Sequence, residues 1–359
     1  SPKRLVNLFL TAESDPTKVM DTLLSEESGG FINGGVNQLK RPNCFITPQG
    51  RCAEYLLYST MKEVLAEKFP DIDQFVIPSN GFFDTTEAHA HVNKFKPVNL
   101  FSSVTAPFDA DRIWHENPFK GNIDIEKLEA VIEKEGVERI PMILITITNN
   151  TAAGQPVSMA NIKAAAAIAQ KYDIPLFFDA CRFAENAFFI REFEEGYRYR
   201  TIQSIVQECF TYADGFTMSL KKDGLANIGG ALCFRDRGVF HRKFSTEARD
   251  VGVVLKEKQI LNYGNDSYGG MSGRDIMACT IGLFEVVKEG YLRLRIGQTF
   301  DFASKLAKEG LPVILPPGGH AIYLDMNKFF EGTDLKPLDF GGVGFSIELL
   351  RLYGIRSCE

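Results

Sequence analysis

The sequence lacks the features that mark disulfide-stapled domains, zinc-binding domains and membrane proteins. Its seven cysteines are odd in number and widely scattered, and no two of them form a C-x-x-C pair. Neither a disulfide framework nor a zinc site is therefore indicated. The longest apolar run, residues 140–148, is far shorter than the ~20 residues that span a bilayer. We expect a cytoplasmic protein in a reducing compartment, without a membrane helix.

An excess of basic residues is also lacking. The chain has 40 Lys and Arg residues against 46 Asp and Glu, a net charge of −6, which argues against nucleic acid as its main partner. Its 359 residues, 45% of them hydrophobic, are enough for about two domains of ordinary globular composition. The sequence begins at Ser1 with neither Met nor the apolar core of a signal peptide, so we expect a trimmed or incomplete chain.

Short apolar runs alternate with stretches of helical spacing through the middle of the chain, which predicts an α/β fold. A helix is predicted from Ser158, a favourable N-cap, to about Tyr172. An apolar strand at 174–178 follows at once and ends on Asp179. Strands buried on both faces of a parallel sheet have this continuous apolar character, and their carboxyl edge faces the ligand crevice. Further strands are predicted at 75–78, 140–148 and 215–220.

Three more helices are predicted from the spacing of apolar residues. One follows Asp124 and ends at Gly136, a residue suited to a left-handed C-cap. Another runs from about Cys52 to Phe69, and residues 275–309 form a long helical connector toward a smaller domain. No repeat or flexible linker interrupts the chain, so the second domain is expected to pack closely on the first.

The motif Gln49-Gly50-Arg51 lies between a short apolar run and a predicted helix. A helix N-terminus presents unpaired N–H groups and the positive end of the helix dipole, and Gly lets an anion approach the backbone. With the charge of Arg51 added, the motif favours a phosphate group. A tight turn carrying a solvated arginine is an equally good interpretation of these three residues alone.

Polar side chains follow two of the predicted strands. The aromatic pair at 82–83 is typical of a core, and His89 and His91 would share one face of a strand. With no third ligand nearby, these histidines do not predict a metal site. Residues 148–156, which include Asn150, place amides and hydroxyls at a strand end, where they commonly face a ligand. A simple polar loop is the alternative.

Asp179 and Arg182 after one strand, and the pair Lys221-Lys222 after the next, suggest pyridoxal-phosphate chemistry. A lysine that forms a Schiff base needs cationic neighbours that depress its pKa, and a carboxylate must hold the cofactor's ring nitrogen protonated. Taken without the other motifs, a helix-capping aspartate and a solvated lysine pair explain the same residues.

Three longer stretches, residues 150–161, 179–187 and 218–223, resemble the tryptophanase and tyrosine phenol-lyase family. Four shorter matches support the likeness, at 49–51, 82–86, 267–270 and 318–321. The resemblance covers about 48–359. It implies a pyridoxal-phosphate-dependent β-eliminating lyase with the aspartate-aminotransferase, or PLP-dependent transferase-like, fold.

That fold implies a large domain with a mostly parallel seven-stranded sheet and a smaller α+β domain. On this chain we expect an N-terminal segment at 1–42 and the large cofactor-binding domain at 43–280. The connector helix and part of the small domain would then occupy 281–359.

The resemblance also implies catalytic roles. Lys222 corresponds to the Schiff-base lysine, Lys221 to its neighbour near the cofactor, and Asp179 to the partner of the pyridinium nitrogen. In the family's reaction the substrate amine displaces the lysine, which then takes the Cα proton. Protonation of the substrate ring expels it, and the remainder hydrolyses to pyruvate and ammonium.

Cofactor-binding roles are implied in the same way. Four residues correspond to the phosphate cradle: Gln49, Gly50, Arg51 and Ser219. Phe83 corresponds to the aromatic residue that stacks on the pyridine ring, and Arg182 and Asn150 to groups near the cofactor's O3′. Asn227 matches a position that helps to hold a monovalent cation, for which potassium is the expected ion.

The two subfamilies are not cleanly separated by this sequence. Residues 82–86 and 182–186 are more similar to tryptophanase, whereas 223–230 and 272–275 are more similar to tyrosine phenol-lyase. Asp84 favours tryptophan slightly, because a carboxylate there could interact with a leaving group that carries an N–H. The predicted activity is the cleavage of an aromatic L-amino acid, and the expected assembly is a homo-oligomer, a dimer or tetramer.

Two alternatives stay open. The family has an acidic tyrosine before its Gln-Gly-Arg motif, whereas the first tyrosine here is Tyr55. One alternative is a pyridoxal-phosphate-dependent lyase or β-replacement enzyme acting on a sulfur-containing or modified amino acid. The other is a catalytically silent homologue that serves as an assembly partner.

Overall fold

The computed structural model of the chain describes residues 42–102, 119–265 and 268–358. The predicted N-terminal segment therefore lies outside the described residues except for Pro42, and so does Ser267 of the 267–270 motif. Within the described ranges, no helix is both long and apolar enough to cross a membrane.

Seven strands form one sheet in the order β1-β7-β6-β5-β4-β2-β3. The strands are β1 Cys44–Thr47, β2 Phe75–Ser79, β3 Phe95–Asn99, β4 Ile143–Thr146, β5 Leu176–Asp179, β6 Gly215–Ser219 and β7 Gly230–Phe234. Among these seven, β7 runs opposite to the other six, which are parallel to one another. The carboxyl ends of the other six strands therefore point to one edge of the sheet. The predicted α/β fold with a mostly parallel seven-stranded sheet is confirmed.

Helices cover both faces of this sheet. In chain order the described residues form α1 Gly50–Lys68, α2 Asp84–Val92, α3 Ile125–Glu135, α4 Met159–Lys171, α5 Phe183–Phe193, α6 Ile202–Thr211, α7 Val239–Phe244, α8 Val251–Tyr263, α9 Gly273–Val286, α10 Glu289–Lys308, α11 Met326–Phe329 and α12 Gly341–Tyr353. Short 3₁₀ helices occur at Val137–Arg139 and Pro337–Asp339.

The central strands are apolar on both sides because each side packs on a separate hydrophobic cluster. In β5, Phe178 contributes to one cluster and Phe177 to the other. In β4, Ile145 and Leu144 divide in the same way. The continuous apolar pattern of the predicted strand before Asp179 is thus explained by burial from both faces.

Local signals set several helix ends as predicted. The Ser158 hydroxyl accepts a hydrogen bond from the Asn161 backbone N–H at 3.1 Å, which caps α4. The Asp124 carboxylate does the same for α3 through Lys127 N–H at 3.0 Å. Gly136 follows α3 with φ 87° and ψ 141°, a glycine conformation that differs in ψ from the left-handed helical one expected.

Three predictions need correction. The long helix expected at 275–309 is two helices, α9 and α10, because Lys288 has extended backbone (φ −74°, ψ 122°). The strand expected at 140–148 is only β4, Ile143–Thr146. His89 and His91 lie in helix α2 and not on a strand, so a spacing of two does not put them on one face.

Residues 281–358 contain the end of α9, α10 and two further α-helices. Their β structure among the described residues is an isolated bridge between Val313 and Leu324. The boundaries proposed for the two domains stay predictions.

Candidate active site

A cleft lies at the edge of the sheet where the parallel strands end. Its walls come from the segments that follow β1, β2, β4, β5 and β6. Fifteen residues line it: Gln49, Gly50, Arg51, Glu54, Phe83, Thr85, Thr146, Thr148, Asn150, Asp179, Cys181, Arg182, Ser219, Lys221 and Lys222. The structure therefore brings together all ten residues to which the sequence assigned cofactor contacts.

Asp179, the last residue of β5, is the most buried charged group of the cleft. It is only 3% exposed, and its Oδ1 accepts no hydrogen bond from the described protein. Burial raises the pKa of Asp179, while hydrogen bonding to Cys181 and the positive charges of Arg182 and Lys222 oppose that rise. A buried acceptor without a partner suits a ligand that donates a hydrogen bond to it.

Lys221 and Lys222 follow β6, line the cleft and are both exposed within it. Partial burial lowers the pKa of Lys222, and the charges of Arg182 and Lys221 lower it further, against the opposing effects of Cys181 and Asp179. A depressed pKa increases the fraction of uncharged amine, the form that acts as nucleophile or base.

Asp223 ties the lysine-bearing turn to the segment that follows β5. Its Oδ2 accepts hydrogen bonds from the backbone N–H groups of Ala184 at 2.7 Å and Glu185 at 3.2 Å. Its own N–H donates to the Cys181 carbonyl at 3.2 Å. Asp223 is 2% exposed, and burial together with the charge of Glu185 raises its pKa to about 8. These bonds fix the position of the turn relative to Asp179.

An anion site is built from the start of α1 and the end of β6. Gln49 precedes α1, and no acidic residue lies in the first turn of this helix. A Cβ atom on Gly50 would lie 2.8 Å from the Cβ of Ser219, so only glycine permits this approach of the two segments. The α1 amides, Arg51 and Ser219 thus converge where the sequence predicted a phosphate group.

A buried network behind Asn150 was not predicted. His320 Nε2 lies 3.0 Å from Asn150 Oδ1, and His320 Nδ1 lies 3.5 Å from the Glu185 carboxylate. Arg295 donates to Glu185 Oε1 from Nε at 3.0 Å and from Nη2 at 2.7 Å. The Tyr323 hydroxyl is 3.4 Å from both Asn150 Oδ1 and His320 Nε2. Asn150 is therefore held from behind by a chain of polar side chains.

Burial and neighbouring charges shift the pKa values of Glu185 and His320 in this network. Burial raises the pKa of Glu185, but the hydrogen bond and charge of His320 and the charge of Arg295 outweigh it, so the net direction is downward. Burial lowers the pKa of His320, as do the charges of Arg182 and Arg295. Glu185 is therefore the charged carboxylate of the pair it forms with Asp223.

Five residues that line the cleft were given no individual role from the sequence, although Thr148 lies in the polar stretch expected to face a ligand: Glu54, Thr85, Thr146, Thr148 and Cys181. Of these, Glu54 is a buried carboxyl group on α1, 6% exposed. Burial and the nearby charge of Asp179 raise its pKa to about 7, while hydrogen bonds from two threonines and the charge of Arg51 oppose the rise. The sequence signal available for Glu54 was its place one helical turn after the Gln-Gly-Arg motif.

Two predicted site residues are not among the residues that line the cleft. Asp84 is exposed at the start of α2, directly after Phe83. Asn227 is exposed in the turn between β6 and β7. Their assigned roles, and those of the ten lining residues, stay predictions.

The cleft fits pyridoxal phosphate on three independent observations. The unpartnered Asp179 Oδ1 suits the protonated ring nitrogen. The Lys222 amine, with its lowered pKa, suits the aldehyde. The glycine-dependent approach of α1 and Ser219, beside Arg51, suits the phosphate.

Comparisons with known proteins agree with this site. The sequence profile described as Beta-eliminating lyase matches residues 39–359. A tryptophanase of Salinibacter ruber is 41% identical over 313 residues, which are 87% of this chain and 60% of the relative. A tyrosine phenol-lyase of Lacrimispora saccharolytica is 40% identical over 315 residues, 87% of this chain and 61% of the relative. The chain thus spans about three fifths of the length of these relatives.

One solved structure extends the comparison to the fold. The sphingosine-1-phosphate lyase of Burkholderia pseudomallei matches 88% of this chain and 64% of its own, with a TM-score of 0.53 and 18% identity. At that identity the match concerns the fold alone. From its sequence profile and its relatives at about 40% identity, the chain belongs to the β-eliminating lyase family.

Proposed function

We propose that this protein is a pyridoxal-phosphate-dependent lyase that cleaves an aromatic L-amino acid to the free ring, pyruvate and ammonium. The observation that carries the proposal is the pairing, in one cleft, of the buried unpartnered Asp179 with the amine of Lys222. Membership of the β-eliminating lyase family supports it.

In this proposal the cofactor is contacted at its phosphate, its ring nitrogen, its ring face and its ring oxygen. Its phosphate is bound by the cradle residues Gln49, Gly50, Arg51 and Ser219. Asp179 accepts a hydrogen bond from the ring nitrogen, and Phe83 covers the ring. Arg182 and Asn150 lie near the ring oxygen. When bound, the cofactor supplies an electron sink for the bond that breaks at the substrate Cα.

The protein's own groups then bind the cofactor and move protons. Lys222 would hold the cofactor through its Nζ, with water as the leaving group. Once the substrate amine displaces the lysine, the freed Nζ would accept and return a proton, a task favoured by its lowered pKa. Arg182 and Lys221 maintain that pKa through their charges. The positive charges of Arg182 and Lys222 oppose the rise that burial causes in the pKa of Asp179 and so favour its charged form. The network of Glu185 and His320 behind Asn150 keeps that amide fixed.

We favour tryptophan over tyrosine as the substrate. Relatives at similar identity carry both names, so the preference rests on Asp84. This exposed carboxylate follows Phe83 directly, and a carboxylate can accept a hydrogen bond from the N–H of an indole leaving group.

Four further proposals come from the resemblance. The protein acts in the cytoplasm and assembles as a homotetramer or homodimer. A potassium ion binds near Asn227. The large domain comprises 43–280 and the connector and small domain 281–359.

Product analysis tests the proposed activity. The protein is incubated with pyridoxal phosphate and, separately, tryptophan, tyrosine and S-methylcysteine, and released indole, phenol, thiol and pyruvate are measured. We expect indole and pyruvate from tryptophan, and their loss in Lys222→Ala but not in Lys288→Ala, an exposed lysine on the surface.

The other outcomes would contradict specific parts of the proposal. Phenol release without indole reverses the substrate preference. Release of thiol alone identifies the sulfur-directed lyase instead. No product and no binding of pyridoxal phosphate to the wild-type protein identifies a silent homologue.

A further inference from the structure

Glu54 is a buried carboxylate on the wall of the cleft to which the proposed function gives no task. Its side chain projects from α1, and both of its oxygens accept hydrogen bonds from the next helix, α2. The Thr85 hydroxyl donates to Oε2 at 2.8 Å, and the Thr86 hydroxyl donates to Oε1 at 2.6 Å. The two threonines lie in the first turn of α2.

These two bonds hold the start of α2, which has no capping side chain. The N-cap residue of α2 is Phe83, whose side chain makes no capping hydrogen bond, because an aromatic ring has no acceptor for a backbone N–H. The first turn is fixed instead by two hydroxyl groups bound to one carboxylate. A rotation or slide of α2 relative to α1 would break both bonds.

We propose that Glu54 is a positioning residue that holds the start of α2 and thereby fixes the Phe83 ring over the cleft. This inference rests on the proposed function, in which Phe83 covers the cofactor ring. In this role Glu54 acts through Thr85 and Thr86.

The charged and polar groups around Glu54 make it an unfavourable place for a carboxyl group. Arg51 and Tyr58 lie near Glu54 on α1, Thr85 and Thr86 on α2, and Asp179 at the end of β5. Burial and the Asp179 charge both disfavour the ionised form. A buried carboxyl group next to another one is unfavourable for folding. The two hydrogen bonds from the threonines offset part of that cost and give Glu54 its role at this site.

The test compares four variants with the wild-type protein. Glu54→Leu removes both acceptors, and Thr86→Val removes one donor with little change of shape. Glu54→Gln keeps a partner for each hydroxyl. Glu63→Gln is the matched control, because Glu63 lies on the same helix but is 60% exposed and pairs with Lys258.

Two measurements are made on each variant. Isothermal titration at pH 8 gives the Kd of pyridoxal phosphate, and hydrogen exchange of the cofactor-free protein follows the amides of α2. We expect Glu54→Leu and Thr86→Val to weaken binding about tenfold, equivalent to ~1.4 kcal/mol, and to speed exchange in α2. Glu54→Gln should restore both readouts to near the wild-type values, and Glu63→Gln should change neither.

Wild-type affinity in Glu54→Leu or Thr86→Val would overturn the inference, as would a Glu54→Gln variant as impaired as Glu54→Leu. If Glu54→Leu does not fold, Thr86→Val decides the question alone. Failure of the wild-type protein to bind pyridoxal phosphate would contradict the proposed function. In that case unchanged α2 exchange in Thr86→Val would still overturn the positioning role, and faster exchange would support the hold on α2.

Discussion

Loss of the Arg295 side chain should destabilise this protein far more than loss of its near neighbour Arg293. Arg295 donates two hydrogen bonds to Glu185, whose side chain has no exposed surface. Arg293 also pairs with two carboxylates, Glu192 and Glu289, but its side chain is 53% exposed. Both arginines lie on α10, so the two substitutions by Met form a matched pair.

The magnitude follows from what each substitution leaves behind. Arg295→Met leaves the buried Glu185 charge beside a second buried carboxyl, Asp223, with the weakly basic His320 and the charge of Arg182 as its remaining basic neighbours. Removing one partner of a buried ion pair costs about 3–5 kcal/mol. We expect about 3 kcal/mol, the lower limit, because the Arg295 side chain is itself 36% exposed. Arg293→Met should cost under ~1 kcal/mol.

Urea unfolding of the cofactor-free variants at pH 7 measures both losses. The deficit of Arg295→Met should shrink on acidification, since protonation of Glu185 removes the unpaired charge. Adding Glu185→Gln to Arg295→Met should also recover part of the loss. Equal losses from the two arginine substitutions would refute the reasoning, because burial of the partner would then have no effect.

Three further predictions concern the cleft. Gly50→Ala would bring a Cβ to 2.8 Å from Ser219 Cβ and should weaken pyridoxal phosphate binding about tenfold or more by titration; Gly273→Ala, where a Cβ meets nothing within 4 Å, should leave binding unchanged. The pKa of Glu54 is raised to about 7 from 4.5, which means that the folded protein binds this proton more tightly than the unfolded chain does. The resulting contribution to the free energy of unfolding is complete below pH 4.5 and is lost as the pH rises through 7. The difference in unfolding free energy between wild type and Glu54→Gln should therefore change by ~3 kcal/mol across that window, and a flat difference would contradict the assigned burial. Asp179→Asn should leave the cofactor-free protein as stable or more stable at pH 8 and yet lower turnover about 100-fold; an unaffected rate would remove Asp179 from the mechanism.

The sequence predicted the cleft residues at strand ends better than the buried residues that support them. Asp179 ends a strand of continuous apolar character and Lys222 comes after the next parallel strand. The carboxyl ends of parallel strands meet at one edge. Their convergence could therefore be predicted before any distance was known. The phosphate cradle was predicted from a local signal, because a glycine at the start of a helix lets an anion approach the backbone N–H groups.

Residues whose role depends on packing between distant segments were not predicted. Glu54 is one glutamate among several on α1; its place one turn after the Gln-Gly-Arg motif is a weak signal, and its contacts with α2 are what set it apart from the exposed Glu63. Glu185 and His320 are far apart in sequence, and no periodicity links them. The break between α9 and α10 was missed because no proline marks it and only two residues, Val287 and Lys288, separate the helices.

The position of β7 in the sheet has a consequence for how the protein folds. This strand lies between β1 and β6, so the two halves of the phosphate cradle, drawn from the beginning and the end of the sheet-forming sequence, meet only after β7 has inserted. Closing such long loops is a late and slow event in folding. An anion that binds both halves would select molecules whose sheet is complete and shift the folding equilibrium toward them. Phosphate in a refolding buffer should thus raise the yield of native protein.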